Sequence, residues 1–415
     1  MSDTETQLVL KYTNHPSKSL NVVFNISDLA LKLLPNPDTS LLENNSETIL
    51  ITEDIINALN KYDIQIIDSQ KSGGKATVSS FYNDILNPIF TTFGINHKYL
   101  KTISAHSIQE YANSVNLHPG SKSLYLFLSG DTSIFEFVNF LLKRTPSTNF
   151  FDSNISILPF PHGTGNALCH SLMLSNDLLC LKAFFKGHSH HLPLYRINSN
   201  SSLICKDESL SNLLNPNIPN QLYFLVVASW CLHSSLVYLS DTPEMRSNYG
   251  SERFRIAAKK ILEENPTFKA KISFQPDNKY LSYQNNKWSI SPSQISNDLS
   301  YFLLSAVSNF EKNFKISPNS VVGNDQLHLL SIPHIKPDEI MNIMNLAYNK
   351  GSHLNDQYIY YSPLKNGNSL ELEISNEMDS LMSIICLDGS SWEVKGIDRK
   401  LTFSYFDQSF LHYIA

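Results

Sequence analysis

The chain has 415 residues, 42% of them apolar and 17% charged, with a net charge of −6. That length supports two or three domains with a sizeable core, and the negative balance argues against general nucleic-acid binding through a basic surface. Five scattered cysteines without a CxxC pair read as buried thiols in a reducing compartment rather than as disulfides or a zinc site.

No segment reads as a signal peptide, and none approaches the apolar run of about 18 residues that a spanning helix needs. A membrane substrate is therefore expected to be reached from the surface. Residues 1–48 are polar and rich in Asn, Ser and Thr, with apolar patches that suggest a few strands in an N-terminal extension. From 49 to 194 a repeated grammar predicts an α/β lobe of strand, tight turn and helix. Its first unit is the strand DIQIID (63–68), the loop Ser69-Gln70-Lys71-Ser72-Gly73-Gly74-Lys75, and a helix whose face carries Val78, Phe81, Tyr82, Ile85, Ile89 and Phe93. Pro88 predicts a kink or an early stop in that helix. The loop has two readings, a phosphate cradle using Lys71 and Lys75 or an ordinary glycine-rich turn.

A second unit follows, HKYLKTI then AHSIQEYANSV. The third joins LYLFL to SIFEFVNFLL through Ser129-Gly130-Asp131-Thr132. The fourth joins ISILPF to ALCHSLML through Pro161-His162-Gly163-Thr164-Gly165-Asn166. Small residues at such turns let backbone N–H groups face a phosphate at a helix N-terminus. Four units make a Rossmann-like lobe whose turns gather at the carboxyl edge of the sheet, where ligands bind. Asp131 has a second reading as a helix N-cap, and Ser133 with Glu136 spells a capping box. His188, His190 and His191 invite a metal, but their loose spacing favours a solvated loop.

From 195 to 415 the pattern changes to short aromatic and β-branched runs separated by turn residues. QLYFLVVASW reads as one strand, and the whole predicts an antiparallel β-sandwich domain with one amphipathic helix, IKPDEIMNIMNLAYNKG. The Asn/Ser-rich pieces around 198–220 and 286–299 read as surface insertions.

The two turns at 129–133 and 161–166 resemble the paired signatures of the diacylglycerol kinase catalytic-domain family, especially its sphingosine (long-chain base) kinase branch. Ser129-Gly130-Asp131-Thr132-Ser133 aligns without a gap, Glu136 and Asn139 fall at the family's spacing, and Pro161, Gly163, Thr164, Gly165 and Asn166 match the second signature. Further matches are Ser229-Trp230, the segment Glu244–Phe254 with Arg246 and Arg253, and Asp388-Gly389. The resemblance implies an NAD-kinase/diacylglycerol-kinase-like lobe with ATP and Mg2+ as cofactors. It implies Asp131 as catalytic base, and Ser69, Lys71, Ser72, Gly73, Ser129, Gly130, Thr132, Gly163, Thr164, Gly165, Asn166, Arg246, Arg253 and Gly389 around the nucleotide; metal ligands stay unassigned. The implied reaction is transfer of the γ-phosphoryl group to a lipid hydroxyl, with a sphingoid base ahead of diacylglycerol.

Three departures stand against that pattern. Thr132 replaces a glycine, Ser390 replaces the glutamate of Asp-Gly-Glu, and the stretch CLHSSLVYLSD lacks an early acid. They motivate the alternative of a catalytically degenerate member that binds lipid or protein. A soluble-metabolite kinase related to NAD kinases is a third reading. The partner expected is a lipid at a membrane surface, not nucleic acid, with a homodimer left open. The location expected is cytoplasmic, with peripheral membrane association.

Overall fold

The computed structural model describes residues 5–25, 30–35, 46–70, 81–144, 151–207, 210, 220–276, 280–284, 287–291, 294–375, 380–408 and 410–415. The first strands are β1 (Glu5–Tyr12), β2 (Leu20–Asn25), β3 (Ala30–Pro35) and β4 (Ser46–Ile51). They form a separate sheet of order β3-β2-β1-β4, in which β1 and β4 run parallel. Its inner face, with Leu8, Leu10, Val22, Phe24 and Ile49, joins one apolar core with the helices beneath it. The N-terminal segment is thus an added layer over the α/β lobe.

That lobe continues with α1 (Glu53–Leu59), β5 (Asp63–Asp68), α2 (Asn87–Phe93), β6 (Lys98–Lys101), α3 (Ser107–Ser114), β7 (Lys122–Ser129), α4 (Asp131–Lys143), β8 (Asn154–Pro161), α5 (Ala167–Ser171), α6 (Asp177–Lys186) and β9 (Ser189–His191). Its sheet has the order β6-β5-β7-β8-β24-β9, where β24 (Leu411–Ile414) is the last strand of the chain. Strands β5, β7 and β8 pair in parallel. In β7, Leu124, Leu126 and Leu128 face the core under the N-terminal sheet, while Tyr125 and Phe127 face the opposite core. Burial on both faces is why these strands are continuous apolar runs without alternation. Pro88 neither breaks nor ends its helix. The backbone widens into a π-turn over Tyr82–Leu86, and α2 then starts with the proline in its first turn, where a missing N–H costs nothing.

The second region contains β10 (Leu194–Ser199), β11 (Ser202–Cys205), β12 (Asn220–Phe224), β13 (Val227–Cys231), α7 (Leu232–Ser240), α8 (Pro243–Tyr249), α9 (Arg253–Glu264), β14 (Phe268–Gln275), β15 (Tyr280–Gln284), β16 (Lys287–Ser291), β17 (Gln294–Ser305), β18 (Gln326–Pro333), α10 (Pro337–Tyr348), β19 (Tyr360–Lys365), β20 (Ser369–Ile374), β21 (Ile384–Leu387), β22 (Ser390–Lys395) and β23 (Lys400–Phe406). The long strand β17 pairs β14 through its first half and β13 through its second, with β18 on its other pairings. The antiparallel sheet therefore branches there into leaves that share one core, where Phe302 meets Phe403 at 6.2 Å between ring centroids. Two expected insertions are partly sheet: Ser202–Cys205 pairs with β22, and 294–299 is the first half of β17.

Helix α4 is apolar around most of its circumference, and Ile134 through Leu142 are all buried, Glu136 and Asn139 included. A helix of that composition must be covered all round. Here the α/β sheet lies on one side and the second region on the other, where Phe135 meets Trp392 and Asn139 grips the backbone of Tyr223.

Candidate active site

The carboxyl ends of β7 and β8 bring the two glycine turns into direct contact. A Cβ on Gly163 would overlap the Cα of Gly130 and lie 2.8 Å from its nitrogen. The side chain of Asn166 closes the second turn on itself, accepting the Gly163 N–H at 2.7 Å and donating to the Gly163 carbonyl at 2.9 Å. Asn166 holds φ 56°, a left-handed conformation that Asn tolerates better than most residues. Thr164 and Gly165 are left exposed at the apex.

Asp131 is the first residue of α4, and its own helix is capped by Gly130 without a side-chain bond. The Asp131 carboxylate accepts instead from Ala167 N at 2.7 Å and Leu168 N at 3.1 Å, the first amides of α5. It joins the two turns and leaves about two of its four lone-pair positions unused. Burial raises its pKa, and the two backbone N–H groups pull the other way without cancelling the rise. The expected capping box is not formed. Ser133 and Glu136 lie inside α4, because the helix is capped at Gly130, three residues earlier than that motif requires.

A third turn closes on the first. Asp388 and Gly389 join β21 to β22 with φ 46° and 89°, the two successive positive values of a tight hairpin turn. Thr132 donates its hydroxyl to the Asp388 carbonyl at 3.0 Å. A Cβ on Gly389 would meet the Thr132 Oγ1 at 2.5 Å. Thr132 therefore fits where a glycine was expected: it is helical, needs no positive φ, and ties the α/β lobe to the second region.

The Asp388 carboxylate, matched in the sequence but given no role there, accepts from Leu225, Val226 and Val227 N at 2.8, 2.9 and 2.7 Å. Those three captured amides break QLYFLVVASW into β12 and β13. Burial pushes Asp388 up to about 7 despite these bonds, with Asp131 adding to the rise. Its signal in the sequence was an Asp-Gly pair between two apolar runs.

Arg253 is buried, stacks its guanidinium 4.4 Å from the Phe254 ring centroid, and donates to Gly250 O at 2.7 Å and to Thr164 Oγ1 at 3.4 Å. It thus reaches the second glycine turn from the other region. Arg246 lies close by but is engaged by Asp241, with Nη2–Oδ1 at 2.5 Å and Nε–Oδ1 at 2.8 Å. Ser129 is buried at the end of β7, so its side chain does not line an opening. Ser69 directly follows β5, and the next amide, Gln70 N, donates to the Thr102 hydroxyl at 3.1 Å. Thr102 thereby orients the start of the first loop. Lys71, Ser72 and Gly73, with Lys75, lie outside the described residues.

Among the described residues no group of three His, Cys, Asp or Glu side chains could hold a metal ion. Asp131 and Asp388 are each committed to backbone amides and do not form a cation cage between them. Ser189–His191 is an edge strand paired with β24 rather than a loop, and His191 reaches the Tyr405 hydroxyl at 3.3 Å. No helix among the described residues is long and apolar enough to cross a membrane.

No family model matches the sequence, and no curated protein matches it. Solved structures do. A crystal structure of a diacylglycerol kinase from Bacillus anthracis str. Sterne superposes with a TM-score of 0.51 at 15% identity, covering 85% of this chain and 96% of that one. A second structure from the same organism, provisionally described as a diacylglycerol kinase, superposes at 0.53 with the same identity and coverage. The chain is similar to these proteins in fold: an α/β lobe of diacylglycerol-kinase-like architecture followed by a large antiparallel β region.

Proposed function

We propose that this protein is an ATP-dependent kinase of a lipid hydroxyl. The observation that supports it most is the junction at Asp131. Two glycine turns touch, one carboxylate sits between them, and a buried arginine reaches the exposed apex of the second turn. Phosphoryl transfer asks a protein for little beyond positioning and charge stabilisation. In this reading Asp131 takes the proton of the acceptor hydroxyl as its oxygen bonds to the γ-phosphorus, and the bond to the β-phosphate oxygen breaks to release ADP. Its raised pKa improves it as a base near neutrality. Arg253 stabilises charge on the transferred group. Magnesium finds no cage among the described carboxylates, and no step is assigned to it.

The motif resemblance offers two acceptors, a long-chain sphingoid base first and diacylglycerol second. A lipid acceptor makes peripheral contact with a membrane part of the reading. A second reading, a non-catalytic binding module, draws on the same geometry, because Asp131 and Asp388 also serve as backbone clamps.

The deciding experiment incubates the purified chain with radiolabelled ATP and a panel of sphinganine, sphingosine and diacylglycerol in detergent micelles. A labelled lipid that disappears with Asp131→Asn supports the kinase. Lipid binding that ignores nucleotide and yields no product overturns it in favour of the module.

A further inference from the structure

Beside the candidate site, the turn that follows α5 carries Met173, an apolar side chain 79% exposed and held at φ 63°. A methionine in a left-handed turn is strained, and among the described residues nothing covers this one. Ser171 and Asn309 fix this tip against the loop after β17: the serine hydroxyl donates to Asn309 O at 3.1 Å and accepts from Asn309 N at 3.0 Å. That loop reads Phe310-Glu311-Lys312-Asn313-Phe314-Lys315. Phe310 lies 6.4 Å from Phe314, which packs 4.8 Å from Tyr348 at the end of α10, between ring centroids. Tyr348 is itself 51% exposed. Lys312 is exposed within this ridge, and Lys315 N bonds the Ala347 carbonyl beside it. Its acid, Glu311, is engaged by the Tyr348 hydroxyl at 3.2 Å.

We infer that the Met173 tip, the Phe310–Phe314–Tyr348 ridge and the lysines 312 and 315 form the surface that seats this protein on an anionic lipid bilayer. Met173 and Tyr348 are the exposed apolar members, with Phe310 and Phe314 half-buried on the core behind them. Exposed apolar side chains beside cations are the composition of an interfacial anchor, in which the apolar groups enter the headgroup layer and ammonium groups meet lipid phosphates and carboxylates. The position fits that occupant. The five-residue helix α5 separates Met173 from the Thr164–Asn166 turn, and the Phe310 ring lies 5.2 Å from His233 at the start of α7. A bilayer touching Met173 lies one short helix away from the second glycine turn. The inference rests on the lipid-acceptor reading, but its test uses no nucleotide.

The test is sedimentation of the full chain with large unilamellar vesicles of phosphatidylcholine alone or mixed with phosphatidylserine. The expected result is binding to the mixed vesicles that weakens with salt. Lys312→Gln and Lys315→Gln should each lower affinity about fivefold, from roughly 1 kcal/mol per lysine at such a surface, and Met173→Glu should lower it further. Ile397→Glu changes an apolar residue 89% exposed on the turn between β22 and β23 and should bind as the parent does; circular dichroism confirms that each variant is folded. Absence of anionic preference, equal binding by the ridge variants, or an equal loss in Ile397→Glu overturns the inference. Vesicle binding on this ridge without any phosphorylated product would leave the anchor standing and remove the kinase. Product in micelles without vesicle binding would do the reverse. Where both hold, Met173→Glu should lose activity on acceptor in vesicles and keep it on acceptor in micelles.

Discussion

Gly163 packs on Gly130 so closely that a Cβ at position 163 would stand 2.8 Å from the Gly130 nitrogen, with Asn166 Oδ1 equally near. The obstacle is backbone, which cannot swing aside as a side-chain end can. The two turns therefore hold their spacing only while position 163 lacks a side chain.

Gly163→Ala should separate the turns. Overpacking of this kind costs about 1–3 kcal/mol, and the damage falls where the Asp131 carboxylate spans to Ala167 and Leu168. The expected outcome is a lower urea midpoint and, on the kinase reading, loss of phosphoryl transfer. Gly165→Ala is the control, since nothing lies within 4 Å of a Cβ there, and it should leave stability within about 0.5 kcal/mol.

Asp131→Asn separates two roles of one side chain. As a base, a carboxylate contributes about two to four orders of magnitude in rate. As a clamp, it accepts two amides, while the Asn side chain presents one acceptor and one donor, so one buried N–H loses its partner at a cost of about 1–3 kcal/mol. The kinase reading predicts a fall in kcat far larger than the loss of folded protein at the assay temperature. Equal falls in activity and folded fraction would leave only the clamp.

Much of this site was legible because its residues are special in kind. Glycines, a lone aspartate and Pro-x-Gly-Thr-Gly-Asn stand out at the ends of apolar runs, and parallel strands put run ends on one edge. What stayed hidden was pairing at long range. The bond from Thr132 to Asp388 spans 256 positions, and no local pattern announces it. The same is true of the three amides that Asp388 draws from 225–227, which divide an unbroken apolar run into two strands. Arg253 and Arg246 looked equivalent on a helical segment, yet one reaches Thr164 while the other is taken by Asp241. Local chemistry named the parts, and the return of β24 to pair with β8 and β9 set the frame holding them.

Buried carboxylates should make stability fall as pH rises. Burial, with Asp207 adding, pushes Glu136 up to about 8, and burial pushes Asp388 up to about 7. Both folded-state values exceed those of the unfolded chain, so between about pH 4 and 8 the native state keeps protons that the unfolded chain has released. The slope of unfolding free energy is then negative across that window. Glu136→Gln keeps the shape and removes one of the two groups. Urea midpoints at about pH 5 and pH 8 should differ less in the variant than in the parent, and an equal difference would show that Glu136 is not protonated in the fold.

Cys231 joins β13 to α7 at φ 68° and ψ −135°, a conformation natural to glycine and costly to other residues by about 1–3 kcal/mol. Its thiol is fully buried and held well above its usual pKa by that burial, so it acts as a small apolar group. Cys231→Ala should lose thiol packing and keep the strained backbone. Cys231→Gly loses slightly more packing but releases the strain. The usual order at ordered positions, alanine above glycine by about 0.5–1 kcal/mol, should therefore reverse here. Urea denaturation of the two variants measures it directly: glycine equal to or above alanine means that the junction stores strain, and glycine lower by the usual margin means that it does not.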